Sequence, residues 1–182
     1  MSSALDHVIL VDENDRYLGT MEKMEAHKKG VLHRAFSVFI FNDKNELILQ
    51  KRAEHKYHSG GLWTNTCCSH PRFGESVLNA AHRRLQEEMG FDCTLEKTFD
   101  FVYKTDFHNG LSEYEFDHVL IGYYNGEINL NPQEACEWKA VNMDNLNTHI
   151  QLSGESFTFW FKEAFPKVYQ HLKFAAHNRL SA

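Results

Sequence analysis

The sequence predicts a domain of the α/β or α+β class, and three observations support this prediction. Segments with strand patterns alternate along the chain with segments that have helix patterns. The chain has 182 residues, of which 42% are hydrophobic and 24% charged, which is typical of a folded protein with a buried core. No internal repeat, low-complexity run or Pro/Ser-rich linker divides it. We therefore expect residues 1–182 to form a single domain.

Three strands are predicted in the first third of the chain. Residues 7–11 and 35–41 are rich in β-branched and aromatic side chains, which are enriched in strands. Residues 42–45 (Asn-Asp-Lys-Asn) form a strong turn signal before a third strand at 46–51. The second and third strands should therefore pair as a hairpin.

The clearest helix is predicted at residues 76–89. Its apolar side chains recur at every fourth position, at Val77, Ala81, Leu85 and Met89. This spacing places them in one stripe along a helix, which is the pattern of a helix that packs on a core. Gly90 follows directly and is suited to the left-handed residue that ends many helices.

The second half of the chain adds three strands and one helix. Strands are predicted at residues 99–104 and 113–124, and a short last strand at 136–141. Residues 157–171 should form an amphipathic C-terminal helix that is interrupted at Pro166, because proline lacks a backbone N–H. After Phe165 we expect a packing helix without a separate function.

Charge and composition argue against several classes of protein. The 19 basic and 25 acidic residues give a formal net charge of −6, which is unlike a general nucleic-acid binder. No stretch is apolar enough to span a bilayer, and the N-terminal residues lack the pattern of a secretory signal. The four cysteines form no C-x-x-C pair, so free thiols are expected. A cytoplasmic setting without membrane contact follows as the expectation.

Residues 69–91 resemble the Nudix box, a loop and helix that present carboxylates to a divalent cation bound to a diphosphate. Seven positions match that pattern, at Glu75, Arg83, Leu85, Glu87, Glu88, Gly90 and Phe91. Ser69 stands where the box has glycine, and Arg84 stands where it has glutamate. Arg84 removes one metal ligand and adds a partner for phosphate. The box is therefore predicted to bind a diphosphate with fewer metal ions, without hydrolysing it.

Three histidines and two glutamates form a second candidate group. His27 and His33 lie in a segment that leads into a predicted strand, and His70 precedes the predicted helix. Glu113 and Glu115 alternate within one predicted strand, so their side chains point the same way. Side chains of these types would bind a divalent metal if they converged. Spacing alone leaves that open, because a single histidine of this kind is more often structural than a metal ligand.

Five segments occur together in a way that is not typical of Nudix hydrolases. They are Leu-His-Arg-Ala-Phe-Ser at 32–37, Leu-Trp-Thr-Asn-Thr-Cys-Cys-Ser-His-Pro at 62–71, Gly-Glu-Ser at 74–76, Glu-Tyr-Glu at 113–115 and Phe-Trp-Phe at 159–161. In this combination the chain resembles type I isopentenyl-diphosphate isomerase, from about His7 to beyond Trp160. The resemblance implies a Nudix-like mixed β-sheet sandwiched between helices. It also implies the interconversion of isopentenyl and dimethylallyl diphosphate in isoprenoid biosynthesis.

The resemblance implies three catalytic residues. The family's essential acid/base cysteine lies two residues before a metal-binding histidine, which here selects Cys68 before His70. Its neighbour Cys67 is then a small apolar filler. Glu115 corresponds to the second acid/base residue, and Tyr103 to its hydrogen-bonding partner. The family usually has glycine between the cysteine and the histidine, so Ser69 is a departure that leaves the spacing unchanged.

Metal and substrate ligands also follow from the resemblance. A divalent ion, which could be Mn²⁺, Zn²⁺ or Mg²⁺, is assigned to His27, His33, His70, Glu113 and Glu115. Mg²⁺ is assigned to Glu88 and the substrate diphosphate, with the backbone carbonyl of Cys68. The diphosphate charge would be met by Lys23, Arg52, Lys56 and Arg84. Trp160, and less clearly Trp63, would place a π-face near a developing carbocation.

Two alternatives remain at this point. One is a Nudix hydrolase of a diphosphate-containing substrate, against which Arg84 and the unexplained Cys68 count. The other is a catalytically silent module that binds metal or diphosphate, against which the presence of both Cys68 and Glu115 counts. In each case the partner is a small diphosphate. The sequence leaves open whether the protein is a monomer or a homodimer.

Overall fold

Nine strands form one mixed sheet in the computed structural model, which describes residues 7–107 and 109–180 and side chains up to residue 174. The strands are β1 His7–Val11, β2 Tyr17–Glu22, β3 His33–Phe41, β4 Glu46–Arg52, β5 Trp63–Thr64, β6 Cys67–Ser69, β7 Leu95–Asp106, β8 Ser112–Tyr123 and β9 Ala135–Asn142. The α-helices are α1 Lys23–Lys29, α2 Val77–Met89, α3 Met143–Leu152 and α4 Phe159–Leu180. The mixture of strands and helices confirms the predicted fold class.

Strand β3 organises the sheet. It pairs antiparallel with β1, β4 and β6, and parallel with β8 over its whole length. The parallel register places His33 opposite Glu115, although these residues are far apart in the sequence. Strand β7 runs antiparallel to β8 and places Tyr103 opposite Glu115 on the other side. The sheet therefore brings a histidine, a tyrosine and a glutamate into one row.

Helices cover both faces of the sheet, as predicted. Because successive strand residues point to opposite faces, β3 divides its side chains between two cores. Phe39 and Phe41 pack in a core with residues of α4, and Val38 and Ile40 pack in a second core with residues of α2. All four side chains are buried. Burial of a large apolar side chain contributes about 1.5–3 kcal/mol, so these two layers hold the sheet in place.

The predicted hairpin and central helix are both present. Strands β3 and β4 pair antiparallel across the predicted turn. Helix α2 begins after Ser76, whose side chain accepts a hydrogen bond from the backbone of Asn79, and it ends at Gly90 in the left-handed conformation. A side chain at Gly90 would collide with the backbone carbonyl oxygen of Asn129, so only glycine fits there.

The prediction of a break at Pro166 was wrong. Helix α4 continues through this residue from Phe159 to Leu180. Proline inside a helix costs about 3 kcal/mol or more, because one hydrogen bond is lost. Phe165 and Val168, on either side of Pro166, are fully buried in the core, and their burial offsets that cost.

Several elements had not been predicted. Strand β2 lies at the sheet edge with Tyr17 and Leu18 more than half exposed, so it lacks a buried apolar alternation. Helix α1 has seven residues and is too short for a clear periodic signal. It begins at Lys23 and carries His27, which we had placed only in a segment before a strand. In the described ranges, no helix combines the length and the apolar character needed to cross a membrane.

Candidate active site

A cavity of about 270 Å³ lies where the sheet meets α2 and the start of α4. Most of the predicted site residues line it, namely Lys23, Arg52, Lys56, Cys68, His70, Arg84, Glu88, Tyr103, Glu113, Glu115 and Trp160. The two others, His27 and His33, lie directly against His70, with ring centroids 5.9 and 5.0 Å from it. Residues scattered over more than 130 positions of the sequence are therefore gathered at one place.

Three imidazoles and one carboxylate converge at one end of the cavity. One side-chain nitrogen or oxygen from each of His27, His33, His70 and Glu115 lies within 4.8 Å of all the others. Each comes from a different part of the fold: α1, the start of β3, the residue directly after β6, and β8. Three histidines and a carboxylate at this spacing are a suitable set for a divalent metal ion.

Hydrogen bonds orient two of these histidines. The Nδ1 of His33 lies 2.8 Å from the carbonyl oxygen of Val31 and donates to it, which turns Nε2 toward the cluster, 3.5 Å from Glu115 Oε1. The Nε2 of His70 lies 2.9 Å from the same oxygen of Glu115. A backbone carbonyl that fixes the imidazole in this way is common behind metal-binding histidines.

His27 gives the clearest test of whether this cluster fits a metal ion. Its side chain is 1% exposed, and among the described residues neither ring nitrogen has a hydrogen-bond partner. Burial lowers the pKa of His27 to about 3, so the ring is neutral and offers a free lone pair. Burying a polar nitrogen without a partner costs about 1–3 kcal/mol. A metal ion in the cluster would remove that cost, so the residues present fit a divalent ion.

Glu115 lies at the centre of the hydrogen bonds in the cavity. The hydroxyl of Tyr103 donates to its Oε2 at 2.7 Å, while its Oε1 faces the two histidines. Burial alone would raise the pKa of Glu115, but the contacts with His33 and His70 lower it well below its usual range. Burial raises the pKa of Tyr103, so the phenol stays protonated. The pair is thus an ionised carboxylate held by a phenol donor.

Glu113 is adjacent to the four-residue cluster but outside it. Its Oε2 accepts a hydrogen bond from Tyr103 at 3.2 Å, and its Oε1 lies 3.2 Å from Nε2 of His58. Burial and the neighbouring charge of Glu115 raise the pKa of Glu113. The carboxylate therefore lines the cavity while its two oxygens contact protein side chains.

The two adjacent cysteines face opposite sides of the sheet. In the pairing of β6 with β3, Cys67 lies opposite Val38 and Cys68 opposite Ser37. Cys67 is fully buried in the core that contains α2, whereas Cys68 is half-buried and lines the cavity. Burial raises the pKa of the Cys68 thiol, which keeps it protonated in the free cavity. Strand alternation thus gives a physical reason why only Cys68 can meet a ligand.

Cations also line the cavity, and two of them are already paired. Arg84 makes ion pairs with Glu88 at 2.8 Å and with Glu134 at 3.0 Å. Lys56 also pairs with Glu134. Glu88 accepts a further hydrogen bond from Gln50 at 2.8 Å and is 4% exposed. This network fixes one carboxylate and one guanidinium of the resembled Nudix box against the cavity.

Lys23 and Arg52 make no ion pair within the described part of the chain. The Lys23 ammonium lies 5.2 Å from the ring centroid of Tyr57, and the Arg52 guanidinium lies 5.0 Å from that of Trp160. Burial lowers the pKa of Lys23, and Nε of Arg52 is buried without a partner among the described residues. Two such cations beside one cavity favour binding of a polyanionic ligand.

The two candidate tryptophans differ in position. Trp160 is 3% exposed and lines the cavity. Trp63 packs against the core that contains α4, with the Lys139 ammonium 3.8 Å from its ring centroid. In the described part of the chain Trp63 is not among the residues that line the cavity. The geometry therefore favours Trp160 over Trp63 as a contact for a ligand.

Some residues of the cavity had no role in the sequence analysis. Gln50 and Glu134 hold Glu88 and Arg84, and Arg72 adds a cation to the lining. No motif marked these three positions. His58 and Tyr57 also line the cavity, in a turn-rich segment between β4 and β5. The one feature of the sequence that could have pointed to these cavity residues is the presence of a histidine close to Lys56, a predicted phosphate-binding cation.

Comparison with protein families gives one match over most of the chain. The NUDIX domain matches residues 31–161. "Isopentenyl-diphosphate Delta-isomerase 2" of Aromatoleum aromaticum is 52% identical over 90% of this chain and 86% of its own length. "Isopentenyl-diphosphate Delta-isomerase" of Pectobacterium atrosepticum is 49% identical over 90% of this chain and 92% of its own length.

Solved structures show the same fold at low sequence identity. A protein from Deinococcus radiodurans superposes with a TM-score of 0.75 at 15% identity, covering 90% of this chain and 99% of its own. A MutT protein from Methanosarcina mazei has a TM-score of 0.64 at 17% identity, covering 78% of this chain and 96% of its own. These similarities confirm the Nudix-like sheet between helices and concern the fold alone.

Proposed function

Because this chain belongs to the isopentenyl-diphosphate Delta-isomerase family within the NUDIX fold, we propose that its cavity converts isopentenyl diphosphate to dimethylallyl diphosphate and back. The hydrolase alternative is not favoured, because relatives about half identical over most of the chain carry the isomerase name. In this reaction one carbon gains a proton and a carbon two bonds away loses one, so the double bond moves and no atom is lost.

We propose Cys68 and Glu115 as the two proton-transfer groups, with Tyr103 as partner of Glu115. A reaction that adds one proton and removes another needs one protonated and one deprotonated group at its start. The cavity offers such a pair, since the Cys68 thiol is protonated and the Glu115 carboxylate is ionised. General acid/base groups of this kind contribute typically 10²–10⁴-fold to the rate.

The developing charge on carbon also needs protection. Trp160 presents an aromatic ring to the cavity, and a cation over such a ring is stabilised by about 0.5–2 kcal/mol. Its buried position excludes water, which would otherwise trap a carbocation. We therefore assign Trp160 to the hydrocarbon part of the substrate.

We propose that His27, His33, His70 and Glu115 hold one divalent metal ion, with Glu113, which lies beside this cluster, as a fifth ligand. When bound, such an ion would lower the pKa of Glu115 further and fix its direction. The choice among Mn²⁺, Zn²⁺ and Mg²⁺ is left to measurement, because this ligand set suits all three.

The cations that line the cavity are proposed to bind the diphosphate. Lys23 and Arg52, which make no ion pair with any residue that the structure describes, supply positive charge, and Lys56 and Arg84 become available when the substrate competes with Glu134. Glu88, with the backbone carbonyl of Cys68, would hold Mg²⁺ on the diphosphate. Mg²⁺ would then neutralise part of the negative charge of the diphosphate, and the cationic side chains would neutralise the rest.

The ring of His27 carries the metal proposal, because among the described residues its nitrogens have no hydrogen-bond partner and one of its atoms lies within 4.8 Å of three further ligand atoms. The test is to strip the protein with a chelator and to restore single ions and pairs of ions. We expect that activity requires a tightly bound ion in addition to Mg²⁺ supplied with the substrate. Full activity of metal-free protein would contradict the site. His55→Ala, at an exposed histidine outside the cavity, is the matched control for His27→Ala.

Three broader assignments are part of the same proposal. We propose that the protein acts in isoprenoid biosynthesis in the cytoplasm, where isopentenyl diphosphate is used. We further propose that residues 1–182 form one domain. The cavity is built from elements of one chain, so activity is compatible with a monomer or a homodimer.

A further inference from the structure

His58 occupies a position in the cavity wall for which neither the Nudix box nor the proposed reaction accounts. It lies between β4 and β5 and is 8% exposed. Its imidazole stacks on Phe107, with ring centroids 4.7 Å apart and planes at 15°, and meets Trp160 edge to face at 5.8 Å. Aromatic pairs in such arrangements contribute about 0.5–1.5 kcal/mol beyond the area that they bury. The ring is therefore fixed in direction by packing on two sides.

The polar side of the same ring faces Glu113. The Nε2 of His58 lies 3.2 Å from Oε1 of Glu113, and the two side chains are 4% and 6% exposed. The Nδ1 of His58 lies 3.3 Å from the hydroxyl of Ser59. The second oxygen of Glu113 accepts from Tyr103 at 3.2 Å. Glu113 is thus held between a histidine packed on Trp160 and a tyrosine bound to Glu115.

A buried carboxylate needs such partners. Burial removes the hydration of its oxygens, so they need hydrogen-bonding partners, and these partners also fix the direction of the group. A residue that holds a carboxylate ligand in one direction typically changes metal affinity by 10–100-fold when it is removed. The contact of His58 with Glu113 is of this holding kind. Its ring contacts with Phe107 and Trp160 place it in the aromatic part of the cavity wall.

We propose that His58 is a positioning residue that holds the carboxyl group of Glu113 beside the metal cluster and links it to the aromatic side chains of Phe107 and Trp160. This proposal rests on the ligand role proposed for Glu113. His58 itself contacts neither metal nor reacting carbon. It acts through Glu113, so its effect on metal binding should vanish when Glu113 can no longer serve as a ligand.

The test uses three variants and Mn²⁺ alone as probe, with free Mn²⁺ followed by electron paramagnetic resonance on chelator-treated protein. His58→Phe keeps the stacking surface and loses the polar contact, and it should weaken Mn²⁺ binding about 10–100-fold. His58→Gln retains an amide donor near the position of Nε2, and it should recover affinity to within a few-fold of the wild type. His55→Gln, at the exposed neighbour, should bind as the wild type does.

A double-mutant cycle separates this inference from the ligand role of Glu113. Glu113→Gln should itself weaken Mn²⁺ binding, and His58→Phe added to it should cause no further loss. If Glu113→Gln binds Mn²⁺ normally, the ligand role of Glu113 is wrong, and His58 cannot act on metal binding through Glu113. If Glu113→Gln weakens binding but His58→Phe does not, or if the two losses add, only the positioning role of His58 is overturned. Circular dichroism of each variant checks that folding is retained.

Discussion

The adjacent cysteines allow a prediction in which two neighbouring substitutions have opposite effects. Cys67 is 0% exposed in the core beneath α2, and Cys68 faces the cavity. Cys67→Ala removes a buried sulfur, comparable to removing a methylene or slightly more, at a cost of about 1 kcal/mol. For a domain of this size, that lowers the melting temperature by about 2–4 °C. Its activity at 25 °C should stay within two-fold of the wild type.

Cys68→Ala should show the reverse pattern. Its side chain is half-buried at the edge of a cavity, so its loss should change the melting temperature by less than that of Cys67. Removing a proton-transfer group should lower kcat by about 10²–10⁴-fold. That range corresponds to about 3–5 kcal/mol in the activation free energy.

The assay measures both quantities on each variant. Dimethylallyl diphosphate formation gives kcat and KM, and thermal unfolding followed by circular dichroism gives the melting temperature. Cys67→Ala is the matched control, because it removes the same atoms one residue away. An equal loss of kcat in both variants, or a loss in Cys67→Ala alone, would contradict the assignment of Cys68, based on strand alternation, as the proton-transfer thiol.

Three further predictions concern the rest of the site and the stability of the fold. Glu115→Gln should lower kcat at least about 100-fold. Tyr103→Phe loses the 2.7 Å hydrogen bond to Glu115 and should lower kcat about 10–100-fold, with KM little changed. Steady-state kinetics on both variants will test these values. Mn²⁺ at about 100 times its dissociation constant should raise the free energy of unfolding by about 2.7 kcal/mol, measured by urea titration. If His27→Ala showed the same full increase, the role of His27 in the metal cluster would be contradicted. Hydrogen bonds from Arg83 hold the pKa of Glu75 below its ordinary value of 4.5, so their stabilisation is complete above that pH and is lost as the pH falls through the lower, folded-state pKa. Glu75→Gln should therefore lower stability at pH 7 and make less difference near pH 3, and a constant difference between these pH values would contradict the ion pair.

Local patterns were sufficient for the parts of the fold that depend on neighbouring residues. The four-residue spacing of apolar side chains and Gly90 predicted α2, and the turn at 42–45 predicted the hairpin of β3 and β4. Tertiary packing decided the rest. Helix α4 continues through Pro166 because Phe165 and Val168 are buried beside it, which the proline alone does not reveal.

The candidate site shows the same division. Alternation within one strand correctly placed Glu113 and Glu115 on one side of β8, since both line the cavity. Spacing could not bring His33 to Glu115, because that contact depends on the parallel pairing of β3 with β8. Only the resemblance to a known family supplied that grouping. His58 belongs to no motif, and its role emerges only from the side chains packed around it.

The most direct test of the proposed reaction is to incubate the metal-loaded protein with isopentenyl diphosphate and Mg²⁺ in D₂O and to follow allylic product and free phosphate together. We predict dimethylallyl diphosphate that carries deuterium from the solvent, with no phosphate or pyrophosphate released. Release of phosphate without allylic product would mean that the cavity hydrolyses its substrate, and would contradict the isomerase assignment.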